Sequence, residues 1–203
     1  NKMQNLPGKG IAVIGDGAWG TALALCLHRN GHQVCVWGPD EDVVAATRSN
    51  RENQRFLPGV PLPPAIEWTA DPPVALDGAE LAVFAVPSRF AGAVLERFRG
   101  LGAGGRIWVS VTKGLDPEHH RPMTALLGAE LGAGAVAAMS GPSFADEVAR
   151  GVPTAVVAAS RDRTVAERVQ RWFAQATFRV YTSEDLLGVE LGGVLKNIVA
   201  IAA

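Results

Sequence analysis

The stretch AVIGDGAWGTALALCLHRNGHQVCVW, residues 12–37, decides the fold. A β-branched run gives way to Gly15, Gly17 and Gly20 in a G-x-G-x-x-G, a helical pattern follows from Trp19 to Asn30, and a second strand runs over 32–37. Each glycine answers a physical need. Gly15 permits the tight turn, Gly17 lets a pyrophosphate come close to the backbone, and Gly20 lets the helix lie near the strand. The helix start adds free N–H groups and the positive end of its dipole. Three glycines alone are a weak signal, but the strand–turn–helix–strand setting makes this a dinucleotide-binding candidate.

Working outward, short apolar runs keep alternating with helical patterns. Strands are expected at 10–15, 32–37, 79–87, 106–114, 135–142, 153–160 and 178–183, and helices at 40–50, 88–100, 118–129, 143–150 and 162–176, with a last one from near Ser183. The proline-rich stretch 56–73 reads as loop with at most one short edge strand near Ile66. Strands apolar on both faces and separated by helices imply an α/β fold, a Rossmann-like, mainly parallel sheet covered on both sides. In the helix at 162–176, Val165, Val169, Trp172 and Phe173 form an apolar stripe, and a Glu167–Arg171 pair is expected on its solvated face.

The 203 residues are 48% hydrophobic and 19% charged, with net charge −1. That balance gives no electrostatic footprint for nucleic acid, and no apolar run reaches the length of a membrane span. Cys26 and Cys35 fall in a helix and a strand and read as small core residues, in keeping with a reducing, cytoplasmic setting. His119 and His120 lack ligand-spaced carboxylate or cysteine partners, so no metal site is read.

Three further segments fall at strand ends, on the edge where an open parallel sheet places its ligands. FAVPSRF ends the strand near residue 86, VTKGL sets Lys113 just past another, and SGPSFADEVARG sets Gly141, Pro142 and Ser143 past the next. Ser143 reads as the N-cap of a helix with Asp146 at its third position. Past the second strand, Asp40 either takes the adenosine ribose hydroxyls, favouring NAD, or caps the following helix. The chain ends ELGGVLKNIVAIAA, a helix apolar almost all round apart from Lys196 and Asn197, which suggests the front part of a longer protein. A lone ammonium among Val194, Leu195, Ile198, Val199 and Ile201 either snorkels to water or meets something polar inside. Gly192 and Gly193, one turn earlier, suit a close approach by substrate or another backbone.

Together GDGAWGTALA, FAVPS, VTKGL, SGPSFADEVARGVPTA and FRVYTSEDLLGVELGGVLKNIVAI closely resemble, in order, the NAD(P)-dependent glycerol-3-phosphate dehydrogenase family. The resemblance implies a dinucleotide-binding domain over 1–183 and, over 184–203, the first helix of a truncated all-helical substrate domain. It implies hydride transfer between sn-glycerol 3-phosphate and NAD or NADP, with dihydroxyacetone phosphate as the ketone, a supply of glycerol 3-phosphate for phospholipid synthesis, and association as a homodimer. Carried over by position, Lys196 matches the catalytic acid/base, and Lys113 a lysine touching both cofactor and substrate. Gly141, Ser143 and Asn197 match substrate positions; Ala18, Trp19, Phe90 and Ala145 match cofactor contacts beside the three glycines. Pro39 and Asp40 stand where many bacterial members carry a histidine or arginine towards the adenosine phosphate. A lysine whose proton is loosened by apolar neighbours and a second cation, Lys113, suits acid–base work at C2, so Lys196 is expected to face the cleft. The alternatives are a related hydroxyacid or sugar-phosphate dehydrogenase, or a nucleotide sensor without chemistry.

Overall fold

The computed structural model describes residues 10–101 and 105–202, the last helix without the side chains of 197–201. Eight strands form one sheet: β1 (Gly10–Ile14), β2 (Gln33–Trp37), β3 (Glu67–Thr69), β4 (Ala79–Phe84), β5 (Ile107–Ser110), β6 (Ala135–Ser140), β7 (Thr154–Ala159) and β8 (Phe178–Ser183). Their order is β3-β2-β1-β4-β5-β6-β7-β8, parallel except between β6 and β7. The helices are α1 (Ala18–Arg29), α2 (Glu41–Asn50), α3 (Pro72–Leu76), α4 (Ala91–Phe98), α5 (Met123–Leu131), α6 (Ala145–Ala149), α7 (Arg163–Phe173) and α8 (Leu186–Ala202).

The central strand shows why both faces must be covered. Ile11 and Val13 join one core with Leu23, Leu27, Trp172 and Phe173 from α1 and α7. Ala12 and Ile14 join a second with Leu76, Phe98 and Leu127 from α3, α4 and α5. All four strand residues are essentially inaccessible to water. Successive side chains of a strand point to opposite faces, so an unbroken apolar run needs helices on both.

The structure departs from the sequence reading in a few places, each with a cause. The loop expected over 56–73 ends in a short helix, α3, with prolines at its first positions and Asp71 just before them. Proline is at home there because the first helical N–H groups have no partner anyway. Helix α5 starts at Met123, later than 118, because Asp116 ties the preceding residues into a turn. Its carboxylate accepts from the Glu118 amide and from Arg121 and faces His119 at 3.2 Å. On α7 the ion pair forms one turn earlier than expected, between Arg163 and Glu167 at 2.9 Å. Cys26 and Cys35 are free thiols.

Helix α8 lies back on the sheet. Leu186 packs with Ala138 and Ala159, and a Cβ on Gly193 would lie 2.7 Å from the Ser140 Oγ. The bare backbone at Gly193 therefore lets α8 approach β6, which carries Lys196 to the sheet edge. The carboxylate of Glu190, on the same helix, accepts from the Thr124 amide at 3.0 Å and its hydroxyl at 2.6 Å, fastening α8 to the start of α5.

Candidate active site

The C-terminal ends of β1, β2, β4, β5 and β6 share one edge, where the strand order turns back beside β1. The glycine turn occupies its centre. Gly15 has φ 120°, a conformation that favours glycine, and a Cβ there would lie 2.7 Å from the Ala85 carbonyl oxygen. A Cβ on Gly20 would collide with the Gly15 carbonyl oxygen. A Cβ on Gly17 would meet nothing within 4 Å, so open space lies before the loop backbone. Gly17 is also the N-cap of α1, has no side chain to cap it, and no acidic residue follows in the first turn. Free N–H groups and an uncompensated dipole end therefore face that space, the setting a pyrophosphate requires. These residues fit NAD or NADP. Gly20→Ala is expected to cost about 1–3 kcal/mol, the usual range for forcing a methyl into packed structure, and to weaken dinucleotide binding. Urea unfolding and a binding titration check both.

The turn is held from behind by a residue the sequence reading did not single out. Asn53, fully buried after α2, donates to the Asp16 carbonyl at 2.7 Å and to the Thr21 hydroxyl at 2.8 Å, and accepts from the Phe56 amide at 3.2 Å. It lies between α2 and the proline-rich stretch, where no periodicity marks it.

Beside the turn, FAVPS and VTKGL are tied together. The Thr112 hydroxyl donates to the Val86 carbonyl at 2.7 Å, and Gly114 is bare because Ser88 packs against it. Trp19, Ala85, Val86, Pro87, Val111 and Lys113 line a cavity of ≈ 240 Å³. Larger hollows, ≈ 310 Å³ beside Ser160 and Arg161 and ≈ 700 Å³ under β8, do not touch the glycine turn. Lys113 Nζ stands 5.7 Å from the centre of the Trp19 ring, a cation–π contact the sequence did not reveal.

Lys196 is half-buried and donates from Nζ to the Gly141 carbonyl at 3.1 Å. Gly141 can be no other residue without moving β7, since a Cβ would lie 2.8 Å from the Ala155 carbonyl oxygen. The Lys196 amine also lies close enough to Lys113 for the two charges to act on each other. Burial first, and this neighbouring amine second, pull the Lys113 ammonium down to about 8. A cation held beside a second cation in a partly buried setting gives up its proton more readily. The expected apolar surround is incomplete: Leu195 is exposed, while Ile198, Val199, Ile201 and Asn197 lie outside the described side chains.

Other expected positions scatter more. Ser143 is buried but does not cap α6; Phe144 precedes that helix, and the Ser143 hydroxyl donates to the Gly141 carbonyl at 3.3 Å instead. The extended backbone at Phe144 sets the start of α6 one residue later than the Ser143 side chain could serve. Ala145 begins α6, which packs against α1 beside Ala18 and Trp19. Asp40 is the N-cap of α2, accepting from the amides of Asp42 and Val43, and it pairs with Arg55 at 3.4 Å. Pro39 is exposed just before it. Phe90 is about half exposed and lies under the Arg89 guanidinium, 4.6 Å from it.

The chain is similar to known proteins over most of its length. Residues 10–166 match the family model described as the NAD-dependent glycerol-3-phosphate dehydrogenase N-terminus. Glycerol-3-phosphate dehydrogenases [NAD(P)+] of Thioalkalivibrio sulfidiphilus and Moorella thermoacetica are 44% and 45% identical over 95% of this chain, which spans 58% and 57% of their lengths. A glycerol-3-phosphate dehydrogenase structure from Coxiella burnetii superposes with TM-score 0.90 at 36% identity, covering 96% of this chain and 60% of its own. The UDP-D-ManNAc dehydrogenase of Pyrococcus horikoshii, at 15% identity and TM-score 0.74, shares the fold. With its glycine turn, its paired lysines and a family match over most of its length, the chain belongs to the NAD-dependent glycerol-3-phosphate dehydrogenase family, matching the N-terminal part of its members.

Proposed function

We propose that the complete protein interconverts sn-glycerol 3-phosphate and dihydroxyacetone phosphate, with NAD or NADP seated on the glycine turn. The observation that carries this reading is the meeting of Lys113 and Lys196, 83 positions apart, on the sheet edge that holds the turn. When bound, the dinucleotide supplies or accepts the hydride at C2. Lys196 then takes the proton of the C2 hydroxyl, or returns it to the developing alkoxide in the other direction. Lys113 polarises the carbonyl oxygen and balances phosphate charge. Gly141 and Ser143 hold the floor on which Lys196 rests, and Asn197 stands one residue further along the same helix.

On this reading residues 184–203 begin a helical substrate domain, association as a homodimer runs through that domain, and the enzyme works in the cytoplasm, feeding glycerophospholipid synthesis. No helix among the described residues is long and apolar enough to cross a membrane. The test is reduction of dihydroxyacetone phosphate by the chain extended to the full length of its relatives, followed by loss of NADH or NADPH absorbance. Turnover of this ketone, with none on the oxidation of sugar acids, is the expected result. Activity on sugar acids alone would replace the substrate, and binding without turnover of either would replace the enzyme with a sensor.

A further inference from the structure

In folds of this kind a side chain at the end of the second strand reads the adenosine ribose: a carboxylate accepts from its hydroxyls, and an arginine takes a 2′-phosphate. Here β2 ends in Trp37, and Gly38, which follows it, has no side chain to offer. The structure gives the reason. A Cβ on Gly38 would lie 2.7 Å from Cγ of Asp16 and 3.0 Å from Cγ2 of Val44. The place is already taken, by a carboxylate that comes from the glycine turn itself.

Asp16 is only 7% exposed. Among the described residues the charges that act on its carboxylate are Arg55, which attracts it, and Asp40, which repels it. Burial dominates and raises its pKa from the ordinary carboxylate value. Its backbone is anchored, because its main-chain carbonyl accepts from the Asn53 amide and the Thr21 hydroxyl. A desolvated carboxylate with so few donors is costly unless something supplies them. Two vicinal hydroxyls at the end of β2 would do so, whereas a phosphate ester there would add charge to charge.

We propose that Asp16, from within the glycine turn, performs the ribose-reading role usually given to the end of the second strand, and that it sets a preference for NAD over NADP. The assignment rests on the dinucleotide reading of the cleft. Asp40, about half exposed, engaged as the α2 cap and paired with Arg55, plays the smaller part.

The test is calorimetric titration of this chain with NADH and with NADPH, with thermal melts to confirm folding. The unaltered chain is expected to bind NADH at least tenfold more tightly, and the ratio to fall about tenfold in Asp16→Asn and Asp16→Ser. Raising the salt should narrow the ratio for the unaltered chain, because repulsion of the 2′-phosphate is screened; that measurement needs no variant. A ratio that stays within twofold in folded variants, or that does not respond to salt, overturns the assignment while leaving dinucleotide binding intact. Equal affinity in the unaltered chain overturns it too. Binding of neither dinucleotide brings down the reading of the cleft itself.

Discussion

Replacing Lys196 by alanine in the full-length enzyme is expected to lower kcat by about 10²-fold or more, the scale of a lost general acid–base. The geometry says why the loss falls on the chemical step. One N–H of the Lys196 amine is spent on the Gly141 carbonyl, at 3.1 Å, which fixes the nitrogen on the sheet edge. Lys113 is its neighbour, and the Lys113 amine stands over the Trp19 ring beside the glycine turn. A C2 oxygen between the two lysines would then meet one group that moves a proton and one that holds charge. Lys196→Arg separates the two tasks. Arginine stays charged and can still donate, but it takes up no proton near neutral pH, so a general-base role predicts that arginine rescues little of the lost rate. KM for the ketone should change far less than kcat in both variants, because the lost interaction belongs to the transition state. Recovery of most of the turnover by arginine would make Lys196 an electrostatic anchor only, and unchanged turnover in alanine would remove it from the chemistry.

How much of this could be read without coordinates depended on whether a residue's role is local or distributed. The glycine turn was legible because each requirement, the left-handed φ at Gly15 and the closeness at Gly20, is met within six residues. The alternation of strands and helices was legible because burial on both faces leaves an unbroken apolar run. The short helix at 72–76 has an ambiguous signal, because prolines favour a helix start yet also break helices and mark loops. Ser143 shows the opposite failure. Its residue type and spacing suited a cap, but the backbone begins the helix one residue further on, and the hydroxyl turns to Gly141. Asn53 and Asp16 were out of reach altogether. Asn53 gains its meaning from residues more than thirty positions back, Asp16 from a glycine 22 positions ahead, and neither sits in a periodic pattern. The lysine pair was legible only through likeness to a family. Nothing in the sequence says that α8 folds back on β6, and it does so partly because Gly193 has no side chain to hold it off Ser140.

Lys113→Met is expected to lower kcat/KM by about 10²–10³-fold, the range for removing one preorganised donor from developing negative charge. The argument continues through pH. Burial and the Lys196 amine hold the Lys113 proton at about 8, against the cation–π attraction of Trp19, which favours the charged form. Only the protonated amine serves a carbonyl or phosphate oxygen as a cation, so kcat/KM should fall as pH rises through about 8. In Lys113→Arg, whose charge persists across the accessible range, that alkaline limb should disappear even if the longer, forked side chain lowers the rate overall. Stability should move the other way. In the unfolded chain a lysine titrates near 10.4, so between about 8 and that value the unfolded state binds the extra proton and folding becomes more favourable as pH rises. Below about 8 the amine is charged in both states and the full cost of holding it beside Lys196 remains. Urea midpoints of this chain measured from pH 7 to 10 should therefore climb above pH 8, and the climb should be much reduced in Lys113→Met. An alkaline fall in rate that survives in Lys113→Arg, together with a flat midpoint curve in the unaltered chain, would show that Lys113 keeps its proton. The crowding of two cations at this edge would then have no bearing on the chemistry.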